Sequence, residues 1–207
     1  IIPAINASTG DAMNIIQQIA DEILPTGYTF EYSGISREEA NSSNQLIIIA
    51  ILCLVFVYLL LSALYESYIL PFAVILSLPV GVAGIFIFIF IGLMAGSNIV
   101  MNIYVQIALV MLIGLLSKNA ILIVEYAIQR RQEGMSIVDS AISGAIARLR
   151  PILMTSFAFI FGLLPLAIST GAGAIGNRSI GISAIGGMLI GTLFGVIVIP
   201  TLYIIFQ

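Results

Sequence analysis

A lysine inside a membrane-length apolar run constrains this chain more than any other feature. The run extends from Asn102 to Tyr126, with Lys118 and Asn119 within it. A spanning helix needs roughly 20 mainly apolar residues, so the segment is long enough to cross a bilayer. A lysine at the centre of such a helix costs about 2.5–3.5 kcal/mol on insertion scales. Charges at that depth face a partner or water and often mark an ion or proton route. The competing reading is a lysine that snorkels to the nearer interface.

The rest of the chain supports a membrane class. It is 60% hydrophobic and 8% charged over 207 residues, and its mean hydropathy is +1.18. Soluble domains carry about 25% charged residues. The net charge of −3 lacks the basic stripe of a nucleic-acid binder. With no histidine and a single cysteine, Cys53, histidine catalysis, histidine metal sites and an internal disulfide are excluded within the chain. No Walker A motif or metal-ligand cluster is present, so an enzyme is not expected. Ile1 follows no signal pattern and Gln207 ends an apolar run, so a piece of a longer protein is expected.

Residues 1–35 differ from the rest and are expected as a small β-α-β piece. Ile1 to Asn6 reads as a short edge strand. Ala12, Ile15, Ile16, Ile19, Ala20 and Ile23 recur at helical spacing. Tyr28 to Tyr32 alternates apolar with polar, as a half-buried strand does. Ser36 and Glu39 form a capping-box signature, which opens a polar helical lead-in over 36–45.

Residues 46–207 are expected to form an all-α polytopic bundle of five spanning helices, at about 46–64, 69–91, 102–126, 150–169 and 180–205. Pro71 suits the first turn of the second span, and Pro79 predicts a kink within it. Residues 92–101 read as a loop or re-entrant piece. Ser136 to Ala147 reads as an amphipathic helix at the interface. Pro151 suits the first turn of the fourth span, and Pro165 predicts a kink. Gly187, Gly191 and Gly195 form a four-residue stripe for close helix contact. Arg130, Arg131, Arg148 and Arg150 place residues 129–150 in the cytoplasm by the positive-inside rule, and residues 1–45 outside.

Lys118 precedes Glu125 by seven residues, and Arg148 precedes Thr155 by seven. Seven residues rise about 10 Å, so on antiparallel helices Lys118 and Thr155 sit at similar depth. If the two faces meet, a polar track runs from the cytoplasm into the membrane. A buried lysine regains charge stability from a nearby carboxylate, and protonation of that carboxylate would alter its surroundings. No acid lies within a helix at that depth here, so the partner must come from elsewhere. Each residue also has a plainer reading. Asn119 serves equally as interhelical glue. Glu125 fits an interfacial charge, Arg148 and Arg150 fit topology determinants, and Thr155 fits ordinary back-bonding. The scattered methionines fit apolar filler.

Gly114-Leu-Leu-Ser-Lys118-Asn119-Ala-Ile-Leu-Ile-Val-Glu125 resembles the lysine-bearing helix of resistance–nodulation–division transporters, in the hydrophobe/amphiphile efflux branch. Arg148-Leu-Arg-Pro-Ile-Leu-Met-Thr155-Ser is similar to their next helix. Ala63-Leu-Tyr-Glu-Ser67, Pro71 with Pro79-Val-Gly81, and Ser169-Thr-Gly-Ala-Gly173 agree in order. The resemblance implies the last fifth of an acriflavine-resistance-type inner-membrane pump and half of its twelve-helix membrane domain. Residues 1–35 then end a periplasmic porter subdomain. It implies a homotrimer that exports drugs against protons, driven by the proton-motive force with no cofactor and no metal. Its implied partners are the missing N-terminal half, a periplasmic adaptor and an outer-membrane channel. The family's relay residues fall on Lys118, Arg148 and Thr155, with Asn119 beside them, and its two relay aspartates lie in the absent half. Residues 92–101 depart from the family in being longer and more apolar. The rival readings are a metal-exporting branch, which should show paired methionines, a protein-export motor, and a helix-packing module whose polar groups do not titrate.

Overall fold

The computed structural model describes residues 9–25, 27–94, 101–171 and 173–207. The strand expected at residues 1–6 lies outside them, as does most of the expected 92–101 loop.

The spacing of the N-terminal isoleucines does produce a helix, α1 (Thr9–Ile23). Ile15, Ile19 and Ile23 stay exposed along it. Tyr28 to Tyr32 is not a strand, and no strand occurs among the described residues. A half-buried strand needs a ladder partner and a face to cover, and this segment has neither within the described chain. The Tyr32 hydroxyl ties it to α1 by donating to the Met13 carbonyl at 2.8 Å, and Glu31 pairs with Arg37 at 3.7 Å.

The polar lead-in and the first apolar run form one helix, α2 (Ile35–Tyr65). Ser36 is inside it rather than at its N-cap. Gly34 caps it with φ 61°, and no side chain bonds the cap. Backbone geometry open to glycine displaces the expected serine cap by two residues. At the other end Glu66 is left-handed, with φ 49°. Ser62 Oγ donates to the Ser67 carbonyl at 3.0 Å across that turn.

The second apolar run is broken rather than kinked, into α3 (Leu70–Ile75) and α4 (Leu78–Met94). Pro79 sits in the first turn of α4, where its missing N–H costs nothing. The Ser77 hydroxyl donates to the Val74 carbonyl at 2.6 Å across the break. α5 (Ile103–Gln132) starts at Asn102, whose side chain accepts from the Val105 N–H at 3.0 Å.

Residues expected as an interfacial helix plus a fourth span form a single helix, α6 (Ile137–Ala167), with Pro151 and Pro165 inside it. Pro151 removes one backbone bond, which membrane helices tolerate when neighbours hold the chain. The neighbour here is α5. Ala141 and Gly144 before the proline, and Ile152 after it, are all buried. A Cβ on Gly144 would lie 2.9 Å from the Ile123 carbonyl. The helix is capped by Ser136, which accepts from the Asp139 N–H at 3.1 Å. Losing a cap of this kind costs about 1 kcal/mol. Ser136→Ala should therefore lower the stability of the complete protein by about that much, and Ser136→Thr should restore it, read by thermal unfolding.

The last helix, α7 (Ala174–Phe206), begins before residue 180, where the fifth span was expected to start. It is the hub of the bundle, packed on α4, α5 and α6. One apolar cluster joins Leu61, Val74, Ile123, Ile152, Ile199 and Tyr203. A second joins Leu78, Ile85, Leu112, Leu116 and Met188. Among the described residues, four segments are long and apolar enough to cross a membrane: Leu70–Met94, Ile103–Gln132, Ile137–Ala167 and Ala174–Phe206. Within α2 only Ile51–Tyr65 qualifies as a shorter apolar helix.

Candidate functional site

α5 is apolar on nearly every side, and tertiary contact decides which side is covered. Ala108, Leu112, Leu116, Asn119, Ala120 and Ile123 are buried. Ile107, Gly114, Lys118, Glu125 and Gln129 are exposed. Their spacings of seven, four, seven and four residues repeat one helical face. A Cβ on Gly114 would meet nothing within 4 Å. Lys118 therefore lies on a face of α5 that no other described element covers. Among the described residues its ammonium group makes no ion pair.

Thr155 on α6 is likewise exposed, and its hydroxyl back-bonds to the Ile152 carbonyl at 3.0 Å. No hydrogen bond joins it to Lys118 among the described residues. Arg148 is half-buried. Its guanidinium carbon sits 5.2 Å from the centroid of the Tyr126 ring, within the range of a cation–π contact. Arg130 lies 5.0 Å from the same ring and donates to the Tyr126 hydroxyl from Nε at 3.1 Å and Nη2 at 2.6 Å. Its Nη1 also pairs with Glu133 at 2.7 Å. Arg148 thus meets α5 through Tyr126 rather than Glu125, and its Nε is buried without a partner among the described residues.

Asn119 points away from this face. It is buried, and it lines a small crevice with Ser77, Leu116, Ile152, Gly191 and Thr192. Nearby, Ser156 and Thr192 share a buried hydroxyl–hydroxyl bond of 2.9 Å between α6 and α7. Adjacent in sequence, Lys118 and Asn119 therefore serve different surroundings, one uncovered and one enclosed. At the opposite end of α5, the Asn102 amide donates to Ser179 Oγ at 3.0 Å, which pins the start of α5 to α7.

Gly187 and Gly191 lie where α7 meets α4 and α5. A Cβ on Gly191 would come 3.1 Å from the Gly81 Cα and 2.8 Å from Leu116. Gly195 is looser, with only Ile199 at 3.6 Å. The close-packed counterpart on α4 is Gly84, which the sequence reading did not single out as a contact.

The residues that sequence reasoning missed are Ser77, Tyr126, Ser156 and Thr192. Tyr126 had a signal, since it stands four residues before Arg130 on one helix face. The hydroxyl pair had none, because single serines and threonines in apolar helices commonly bond their own backbone.

At 43% identity over 202 residues the chain is similar to the toluene efflux pump membrane transporter TtgB of Pseudomonas putida. That match covers 98% of this chain and 19% of the relative. At 42% identity over 205 residues it is similar to the multidrug resistance protein MdtF of Escherichia coli, covering 99% of this chain and 19% of that relative. The chain thus spans about a fifth of the length of the curated relatives it matches. The profile of the AcrB/AcrD/AcrF family matches residues 2–207. With its long apolar helices and that match over nearly its whole length, the chain is a membrane protein and belongs to the AcrB/AcrD/AcrF family of efflux transporters.

Proposed function

We propose that this chain supplies the second half of the membrane domain of a proton-driven pump that exports amphiphilic compounds across the inner membrane. Lys118 is the centre of the relay, with Thr155 and Arg148 on the neighbouring helix, while Asn119 faces the enclosed side of α5 and stands outside it. The observation that carries the reading is the exposed stripe of α5. It presents Lys118 on a face that the described chain leaves uncovered and that holds no ion pair for it. A charge at membrane depth needs a partner, and a second half of the molecule bearing acids would supply one. Family membership supports the efflux role.

In this reading α2 contributes a fifth span, residues 1–45 lie in the periplasm and residues 129–150 in the cytoplasm. The working unit is a trimer with a periplasmic adaptor and an outer-membrane channel. The protein performs no covalent chemistry and uses no cofactor beyond the proton gradient. The chain by itself transports nothing, because the acids of the relay are not in it.

Proteoliposomes holding the complete transporter test the coupling. Substrate movement should follow an imposed pH gradient and stop when an ionophore collapses it. Undiminished transport without a gradient would overturn the proton-driven reading. Proton-linked transport by residues 1–207 alone would contradict the assignment of this chain as half a relay.

A further inference from the structure

We infer that the crevice between the α3–α4 break, α5, α6 and α7 is a site for one structural water molecule, held by Asn119, Ser77 and Thr192. Three observations converge on it. The Asn119 side-chain amide nitrogen is buried and has no hydrogen-bond partner among the described residues. An orphaned buried donor costs about 1–3 kcal/mol, so native structures nearly always satisfy such groups. The crevice that Asn119 lines has a volume of about 10 Å³. That is near the threshold of roughly 10–15 Å³ for one water, and it leaves no room for a larger guest.

The third observation is the set of hydroxyls on the same walls. Ser77 lines the crevice and has its proton committed to the Val74 carbonyl at 2.6 Å, so its oxygen is free to accept. Thr192 lines it too, and its bond with Ser156 leaves hydrogen-bonding capacity on the hydroxyl oxygens. A water here accepts from the Asn119 amide and donates to Ser77 and Thr192. That gives it three partners, the usual number for a buried water. No charged side chain lines the crevice, so the site suits a neutral guest rather than an ion.

The water would tie α5 to the α3–α4 break and to α7, on the side of α5 away from Lys118. It does not depend on the relay assignment, because all of its ligands lie in this chain.

A map of the complete transporter at a resolution that shows ordered water tests the site. Density should appear within hydrogen-bonding range, roughly 2.7–3.2 Å, of the Asn119 amide and of the Ser77 and Thr192 oxygens. It should be lost in Asn119→Leu and in Thr192→Val, and kept in Thr155→Val, whose side chain does not line the crevice. Where Asn119→Leu does not fold, Thr192→Val alone decides. An empty crevice in the wild type would overturn the assignment. So would an Asn119 amide bonded directly to protein, or a guest with the short, multiple contacts of a cation.

Discussion

Lys118→Ala in the complete transporter should abolish efflux: cells carrying it are expected to be as drug-susceptible as cells without the pump, at matched expression. Insertion is preserved, because removing a charge from α5 relieves a cost of about 2.5–3.5 kcal/mol rather than adding one. Lys118→Arg also fails. Arginine replaces a compact ammonium point charge with a planar fork of fixed geometry, which does not fit the same partner. If the lysine only snorkelled, arginine would replace it fully and alanine would retain most activity. Normal resistance in the alanine variant ends the relay assignment, and the expression control separates it from misfolding.

The second large effect concerns the contact between α4 and α7. A Cβ on Gly84 would stand 2.9 Å from the Gly186 carbonyl oxygen and 3.1 Å from the Gly187 Cα. Both obstacles are backbone, so neither rotates away. Overpacking of this kind costs about 1–3 kcal/mol, and in a membrane no hydrophobic driving force between helices offsets it. Gly84→Leu should therefore deplete folded protein severely, and Gly84→Ala should do so less. Gly195→Ala serves as the contrast, since its Cβ would meet only Ile199 at an ordinary 3.6 Å. Thermal unfolding and the yield of folded transporter read all three. Equal tolerance of Gly84→Leu and Gly195→Ala would show that α4 and α7 do not approach as closely as described.

How far such features were readable in the sequence depended on the kind of signal. The third span was expected from residue 102, and α5 begins beside it at Ile103, with Asn102 as its N-cap. The isoleucine spacing at 12–23 was unambiguous, and α1 follows it. Prolines were read less well. Pro79 marked a disruption, but the chain breaks at residues 76–77, before the ring. Pro151 looked like a helix start, yet the packing of Ala141, Gly144 and Ile152 on α5 carries α6 through it. Residues 28–32 form no strand among the described residues, since alternation describes a face and supplies no ladder partner.

The candidate site was legible in its residues but not in their directions. A helix that is apolar all round has no face that composition can reveal, so nothing in sequence set Asn119 inward and Lys118 outward. The seven-residue spacing of Lys118 and Glu125 was a hint of a shared face, but not of which way it turned. Tertiary contact with α7 and α6 settled the matter by covering one side of α5. The pairing of Ser156 with Thr192 joins residues 36 apart in sequence, and no local pattern announces it.

The structure of the complete transporter, with its first-half helices in place, is the most direct measurement. The account predicts the Lys118 Nζ against carboxylate oxygens contributed by that half, within the roughly 4 Å of an ion pair. An ammonium group bathed in cytoplasmic water, or one enclosed with no acid beside it, would contradict it.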